Sequence, residues 1–179
     1  GNDAANREFV RPFSGGSRAI QLGLMTPVET LLLASGLCLL SVFIGIGLAL
    51  TGSPWVLAFG AVGLVCGVCY TARPLFWAGR GFGELLVAAN YGLLMTLGAF
   101  YVQSGTVTWT AALASLPVAA LIALVLFINE FPDYNADSRT GKRTLVVRVG
   151  RPAAAKLYPV LALSPFAAAV ALVATGVAP

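Results

Sequence analysis

The chain has 179 residues, of which 58% are hydrophobic and 10% charged, and a mean hydropathy of +0.86; a soluble domain carries about 25% charged residues. That balance excludes a soluble globular domain. Eleven Lys and Arg against seven Asp and Glu give a net charge of +4. This surplus does not call for nucleic acid, because basic loops orient any polytopic membrane protein.

The charged residues fall in three clusters, 1-29, 73-84 and 130-156, with 43 and 45 uncharged residues between them and 23 after the last. One helix of 43 residues would measure about 64 Å, twice the ~30 Å of bilayer hydrocarbon. Each long gap therefore holds two spans, parted at Thr51-Gly52-Ser53-Pro54 and at Gln103-Ser104-Gly105-Thr106. The expected fold is all-α, a single polytopic transmembrane helical bundle with spans at 28-50, 54-72, 84-103, 108-128 and 153-175. Hairpins return all three clusters, and with them every Lys and Arg, to one side. The positive-inside bias makes that side cytoplasmic, with loops 1-27, 73-83 and 129-152. The expectation is a multi-pass protein of the cell membrane, the lipid bilayer its first partner, with its polar chemistry on the cytoplasmic face.

In chain order, Gly1 to Arg18 is rich in turn formers and has no apolar period. No signal peptide is legible in Gly1 to Thr26, which is polar and contains Arg. The chain opens on Gly1 inside a polar segment and stops at Ala178-Pro179 just past its fifth span, so it reads as a fragment of a larger bundle. Thr26-Pro27-Val28-Glu29 predicts a helix start, with Thr26 as N-cap, Pro27 in the first turn and Glu29 closing a capping box. Cys66 and Cys69 form a Cys-x-x-Cys inside an uncharged span, and the chain has no His. Such thiols are inert and serve packing. The middle cluster is short, aromatic and basic, and Phe76, Trp77 and Phe82 suit the headgroup layer.

The third cluster carries the most chemistry. Asn129, Asp133 and Asp137 are four apart, so on a helix they advance 40° per step and share one face. Pro132 makes this conditional on a kink or on a new helix starting there. Two carboxylates and an amide form a hard-oxygen set of the kind Mg²⁺ accepts when substrate phosphates complete its shell. Arg139, Lys142 and Arg143 follow at once and can grip the same phosphates. The basic residues number nine Arg to two Lys, which favours bidentate phosphate recognition. Asp133-x-Asn135-x-Asp137 is not an EF-hand loop, since Ser138 and Thr144 stand where Gly and Glu are required. Gly141-Lys142-Arg143-Thr144 lacks the leading Gly of a P-loop.

The segments Asn129-Glu130-Phe131-Pro132-Asp133-Tyr134-Asn135-Ala136-Asp137 and Gly141-Lys142-Arg143-Thr144-Leu145-Val146-Val147-Arg148-Val149-Gly150 resemble the second aspartate-rich motif of the UbiA superfamily of intramembrane prenyltransferases. The likeness is strongest to the 1,4-dihydroxy-2-naphthoate polyprenyltransferase subgroup of menaquinone synthesis. Pro12-Phe13-Ser14-Gly15-Gly16-Ser17-Arg18 resembles the segment after the first aspartate motif, and Gly81-Phe82-Gly83-Glu84 a loop of the same subgroup. The resemblance implies nine helices around a cavity with two facing Asp motifs, so the five spans here correspond to the third to the seventh. Of the first motif only its closing residue, Asp3, lies in this chain. Many relatives carry a Lys four residues after the Tyr matching Tyr70; here Pro74 stands there and Arg73 precedes it.

By that resemblance the expected reaction is Mg²⁺-dependent transfer of a polyprenyl group from polyprenyl diphosphate to an aromatic acceptor, 1,4-dihydroxy-2-naphthoate or another phenol such as 4-hydroxybenzoate. Asp133 and Asp137 are the expected catalytic pair. Asp3, Asn129, Asp133 and Asp137 are the expected metal ligands, and Arg18, Arg73, Arg139, Lys142 and Arg143 the diphosphate ligands. A transporter subunit fits less well, because transporters place charged sites near the midplane, and 30-72 and 85-129 hold no charge. A phosphatidyl-alcohol transferase is a further Mg²⁺ membrane enzyme, but its longer Asp-Gly-Ala-Arg signature is missing.

Overall fold

The structure is a computed structural model that describes residues 18-177. Among these residues every regular element is helical, with no strand. The helices are α1 (Pro27–Thr51), α2 (Trp55–Thr71), α3 (Gly83–Ser104), α4 (Trp109–Thr140), the short α5 (Leu145–Val149) and α6 (Arg151–Ala174). Of these, α1, α3, α4 and α6 are long and apolar enough to cross a membrane, and α2 is a shorter apolar helix of 17 residues.

Local chemistry sets the helix ends. Glu29 N–H donates to Thr26 Oγ1 at 3.2 Å and Thr26 N–H donates to Glu29 Oε2 at 2.7 Å, so the capping box at the start of α1 forms. Thr108 Oγ1 accepts from Ala111 N–H at 3.1 Å and caps α4. Gly105 ends α3 at φ +71° and Gly141 ends α4 at φ +74°, left-handed positions that glycine reaches without a Cβ penalty.

The centre of the bundle is the crossing of α3 and α4. There Gly92 lets the two backbones meet: a Cβ on it would come within 2.3 Å of the Ala119 Cα. Around this crossing, Ala88–Leu94 of α3 is π-helical. By contrast α1 buries none of its residues and packs mainly on α2 among the described elements; a surface so apolar needs lipid or further helices against it.

The best-buried apolar cluster lies at the charged end of α4. Phe127, Val146 and Ala154 are buried there, with Phe131, Tyr134, Leu145 and Tyr158 packed against them. This cluster explains a departure from the sequence reading, which placed a loop from residue 129: α4 runs unbroken through Pro132 to Thr140. Proline inside a helix costs about 3 kcal/mol. The packing of Phe127 edge-on to Phe131 (5.8 Å) and stacked on Tyr158 (6.2 Å) offsets that cost. The same continuity keeps Asn129, Asp133 and Asp137 on one helix.

Candidate functional site

The site is built on the last three turns of α4. Asn129 and Asp133 are half-buried and Asp137 is fully buried. After Gly141 reverses the chain, Gly141 N–H and Lys142 N–H both donate to the Asp137 carbonyl, the latter at 2.9 Å. The reversal brings Lys142 back over its own helix, where its Nζ lies 3.3 Å from Asp137 Oδ2. A carboxylate with no exposed surface is stable only beside such a cation.

The connection between α2 and α3 closes over this turn. It forms a 3-10 turn, Trp77–Arg80, whose Gly79 carbonyl accepts from Arg143 N–H at 2.9 Å. The Arg148 guanidinium donates to the Arg80 carbonyl and, at 3.2 Å, to that of Arg143. Gly81, at φ +75°, leaves room for this crossing, because a Cβ there would stand 2.4 Å from Arg148 Nε. The second and third charged clusters are thus one unit.

Beneath that unit lie two carboxyl groups that the sequence reading did not single out as site residues. Glu84 is 9% exposed and Glu130 is 5% exposed. They approach closely enough for their carboxyl groups to hydrogen-bond to each other, and Lys142 is within electrostatic range of Glu130. Val146 N–H donates to Glu130 Oε2 at 3.1 Å. A signal for them existed: the two border the 45-residue uncharged run at opposite ends, and Glu130, seven residues before Asp137, lies about 20° from it on the helix, at the edge of the oxygen stripe.

A cavity of about 770 Å³ opens between α2 and α3, edged by Gly45 of α1. Its walls are largely apolar and include Gly60, Gly63, Cys66 and Gly67. At one end stand Tyr70, Asn90 and Tyr91, and Tyr70 is within electrostatic range of Glu84, Glu130 and Asp137. At the other, Phe59 and Leu94 also line a second apolar cavity of about 350 Å³. Phe59 rests against Tyr101 at 5.7 Å, and the Tyr101 hydroxyl donates to Ser53. A third, basic pocket of about 430 Å³ is lined by Ser138, Gly141, Lys142, Arg143, Val147 and Arg148.

The structure thus brings Asn129, Asp133, Asp137 and Lys142 onto or over one helix end, and ties Arg143 by its backbone to Gly79. Arg139 is exposed on the last turn of α4, and Arg73 is exposed where α2 gives way to the connection. Arg18 is half-buried at the start of the described residues, its carbonyl accepting from Leu22 N–H at 2.8 Å. Asp3 lies outside the described residues. Among the described residues no three His, Cys, Asp or Glu side chains cluster closely enough to hold a metal ion. The oxygen donors of α4 nevertheless suit a hard cation in kind.

Residues 15–179 match the UbiA prenyltransferase family. The chain is similar to the 1,4-dihydroxy-2-naphthoate octaprenyltransferase of Mycobacterium tuberculosis (strain ATCC 25618 / H37Rv), with 33% identity over 80% of this chain and 49% of the relative. It is also similar to the proteins of the same name from Mycobacterium leprae (strain TN), 34% identical over 74% of this chain and 42% of the relative, and Bacillus subtilis (strain 168), 29% identical over 86% and 50%. The chain therefore spans about half the length of the curated relatives it matches. No solved structure matches it significantly. With helices long and apolar enough to cross a membrane several times and a family match over nearly its whole length, the chain is part of a multi-pass membrane protein and belongs to the UbiA prenyltransferase family.

Proposed function

We propose that the protein containing this chain transfers a polyprenyl group from polyprenyl diphosphate to an aromatic acceptor, 1,4-dihydroxy-2-naphthoate, with Mg²⁺ as cofactor and the active site on the cytoplasmic face. The observation that carries this reading is the juxtaposition at the end of α4: an oxygen stripe, a lysine folded over it, and an apolar cavity whose polar end adjoins the same carboxylates. The names of the relatives support the choice of acceptor, and family members are generally dependent on a divalent metal.

In this reading Asn129, Asp133 and Asp137 hold the metal, with Asp3 contributing from the first motif. The bound metal would supply electrostatic stabilisation of the leaving diphosphate. Lys142, Arg139 and Arg143 would take diphosphate oxygens from the third charged cluster, and Arg18 and Arg73 from the first and second. The bond from the allylic carbon to the diphosphate oxygen breaks with its electron pair going to the diphosphate. The electron-rich ring attacks the resulting allylic cation; in the naphthoate case its carboxylate leaves as carbon dioxide in the same overall conversion, the bonding pair staying with the ring, while a phenol that keeps its substituents releases a ring proton. The apolar walls of the cavity away from its polar end, toward Phe59 and Gly60, hold the polyprenyl chain and keep water from the cation.

The test uses the full-length protein in membranes with a polyprenyl diphosphate, Mg²⁺ and either 1,4-dihydroxy-2-naphthoate or 4-hydroxybenzoate. Prenylated naphthoate product is expected, and it is expected to vanish in Asp133→Asn and Asp137→Asn. Activity retained in both variants overturns the metal assignment; product with 4-hydroxybenzoate alone moves the acceptor; no product with any aromatic acceptor overturns the function.

A further inference from the structure

The cavity between α2 and α3 is apolar over most of its length and turns polar where Tyr70, Asn90 and Tyr91 face it. Asn90 Nδ2 donates to the Leu86 carbonyl at 2.9 Å. A carbonyl can only accept, so this bond fixes which atom of the amide is nitrogen. Asn90 Oδ1 is thereby left as a buried acceptor with no donor. Six residues earlier on α3, Glu84 Oε1 is a second such acceptor, on a side chain nine-tenths buried. The π-helical segment begins between the two, at Ala88, a local form that recurs at functional sites. Unmet buried acceptors are rare in folded proteins and call for a partner. Asn90 lines the cavity itself, and its open acceptor matches a ligand that brings a hydroxyl hydrogen.

The α2 wall supplies the shape. Gly60 and Gly67 line the cavity, and a Cβ on either would meet nothing within 4 Å. Gly67 is one turn from Tyr70 on α2, so the polar end has an open glycine face beside the Tyr70 ring, with Tyr91 contributed by α3. That is room for a flat ring, not only for a flexible chain.

We infer that Tyr70 and Asn90, with Glu84 beside them, form the subsite for the hydroxyl-bearing aromatic ring, in which Asn90 Oδ1 accepts a hydrogen bond from a ring hydroxyl and Gly67 leaves space for the ring face. The inference rests on the prenyl-transfer reading and adds where the acceptor sits: against α3, apart from the oxygen stripe on α4. Asn90 acts here as a binding and specificity residue.

The experiment uses the full-length protein in liposomes, with steady-state kinetics in which 1,4-dihydroxy-2-naphthoate and the polyprenyl diphosphate are varied in turn. Asn90→Leu removes the acceptor at similar size, Asn90→Asp keeps an oxygen there, and Gly67→Val fills the open face. Asn90→Leu and Gly67→Val are expected to raise the KM for the naphthoate roughly tenfold, the worth of about one hydrogen bond. The KM for the polyprenyl diphosphate stays at the wild-type value, and Asn90→Asp restores most of the loss. If Asn90→Leu fails to fold, as thermal unfolding in detergent would reveal, Gly67→Val decides, since its Cβ meets no protein atom. An unchanged naphthoate KM, or a rise in the polyprenyl diphosphate KM instead, overturns the subsite while the enzyme reading stands. A wild-type protein that prenylates no aromatic compound overturns both.

Discussion

Glu130 and Val146 are sixteen residues apart, and the Val146 N–H donates to Glu130 Oε2 across 3.1 Å in the buried interior. That one bond ties the first turn of α5 to α4 and so frames the loop that carries Lys142 and Arg143. Val146 is itself fully buried, so its N–H has no water to turn to. Glu130→Ala is therefore expected to cost about 1–3 kcal/mol, the penalty of an unmet buried donor. Glu130→Gln, which keeps an acceptor oxygen, loses much less. Thermal unfolding of the two variants in detergent measures the difference, and an equal loss in both would show that the bond does not hold α5.

Lys142 and Asp137 form an unequal pair, one side chain a quarter exposed and the other wholly enclosed. Removing the cation takes an opposite charge away from a buried carboxylate, while removing the charge leaves a lysine that still reaches solvent. Lys142→Met is thus expected to lower the unfolding temperature more than Asp137→Asn does. A larger loss in Asp137→Asn would mean that Asp137 is held by contacts other than this lysine.

Gly92 is a position where size alone decides. The nearest atom to a Cβ there is the Ala119 backbone at 2.3 Å, which cannot swing aside as a side chain would. Gly92→Ala is expected to force α3 and α4 apart and to destabilise by roughly 1–3 kcal/mol, the usual cost of overpacking. Gly47→Ala, with nothing within 4 Å, is the matched control. Yields of folded protein and unfolding temperatures compared across the pair test this directly.

Phe59 stands between the cavities of about 770 and 350 Å³ and lines both. If the larger one holds the polyprenyl chain, Phe59→Ala joins the two and lengthens the space available to it. The variant is expected to accept longer polyprenyl diphosphates relative to wild type, read as the ratio of products by mass spectrometry when two chain lengths compete. An unchanged ratio would mean that the chain does not reach Phe59.

Much of this molecule is local, and what is local was legible in the residues themselves. The uncharged runs set an all-helical membrane bundle, because a bilayer admits few other ways to satisfy the backbone. The Thr26–Glu29 box and the Gly105 stop are decided within a turn or two of chain. The spacing of Asn129, Asp133 and Asp137 places them on one face once the segment is helical. That it stays helical past Pro132 was not legible, since it depends on Phe127 and Phe131 of α4 packing with Tyr158 of α6. Glu84 and Glu130 are 46 residues apart in a chain with no periodicity linking them, and only the docking of α3 on α4 makes them neighbours. The same holds for the Gly79 and Arg80 carbonyls that receive Arg143 and Arg148, and for the unmet acceptor of Asn90. Sequence determined which groups are confined to the charged end of the bundle. Tertiary structure decided which of them meet, because a hydrogen bond or a buried charge is fixed by ångström distances that a linear pattern does not contain.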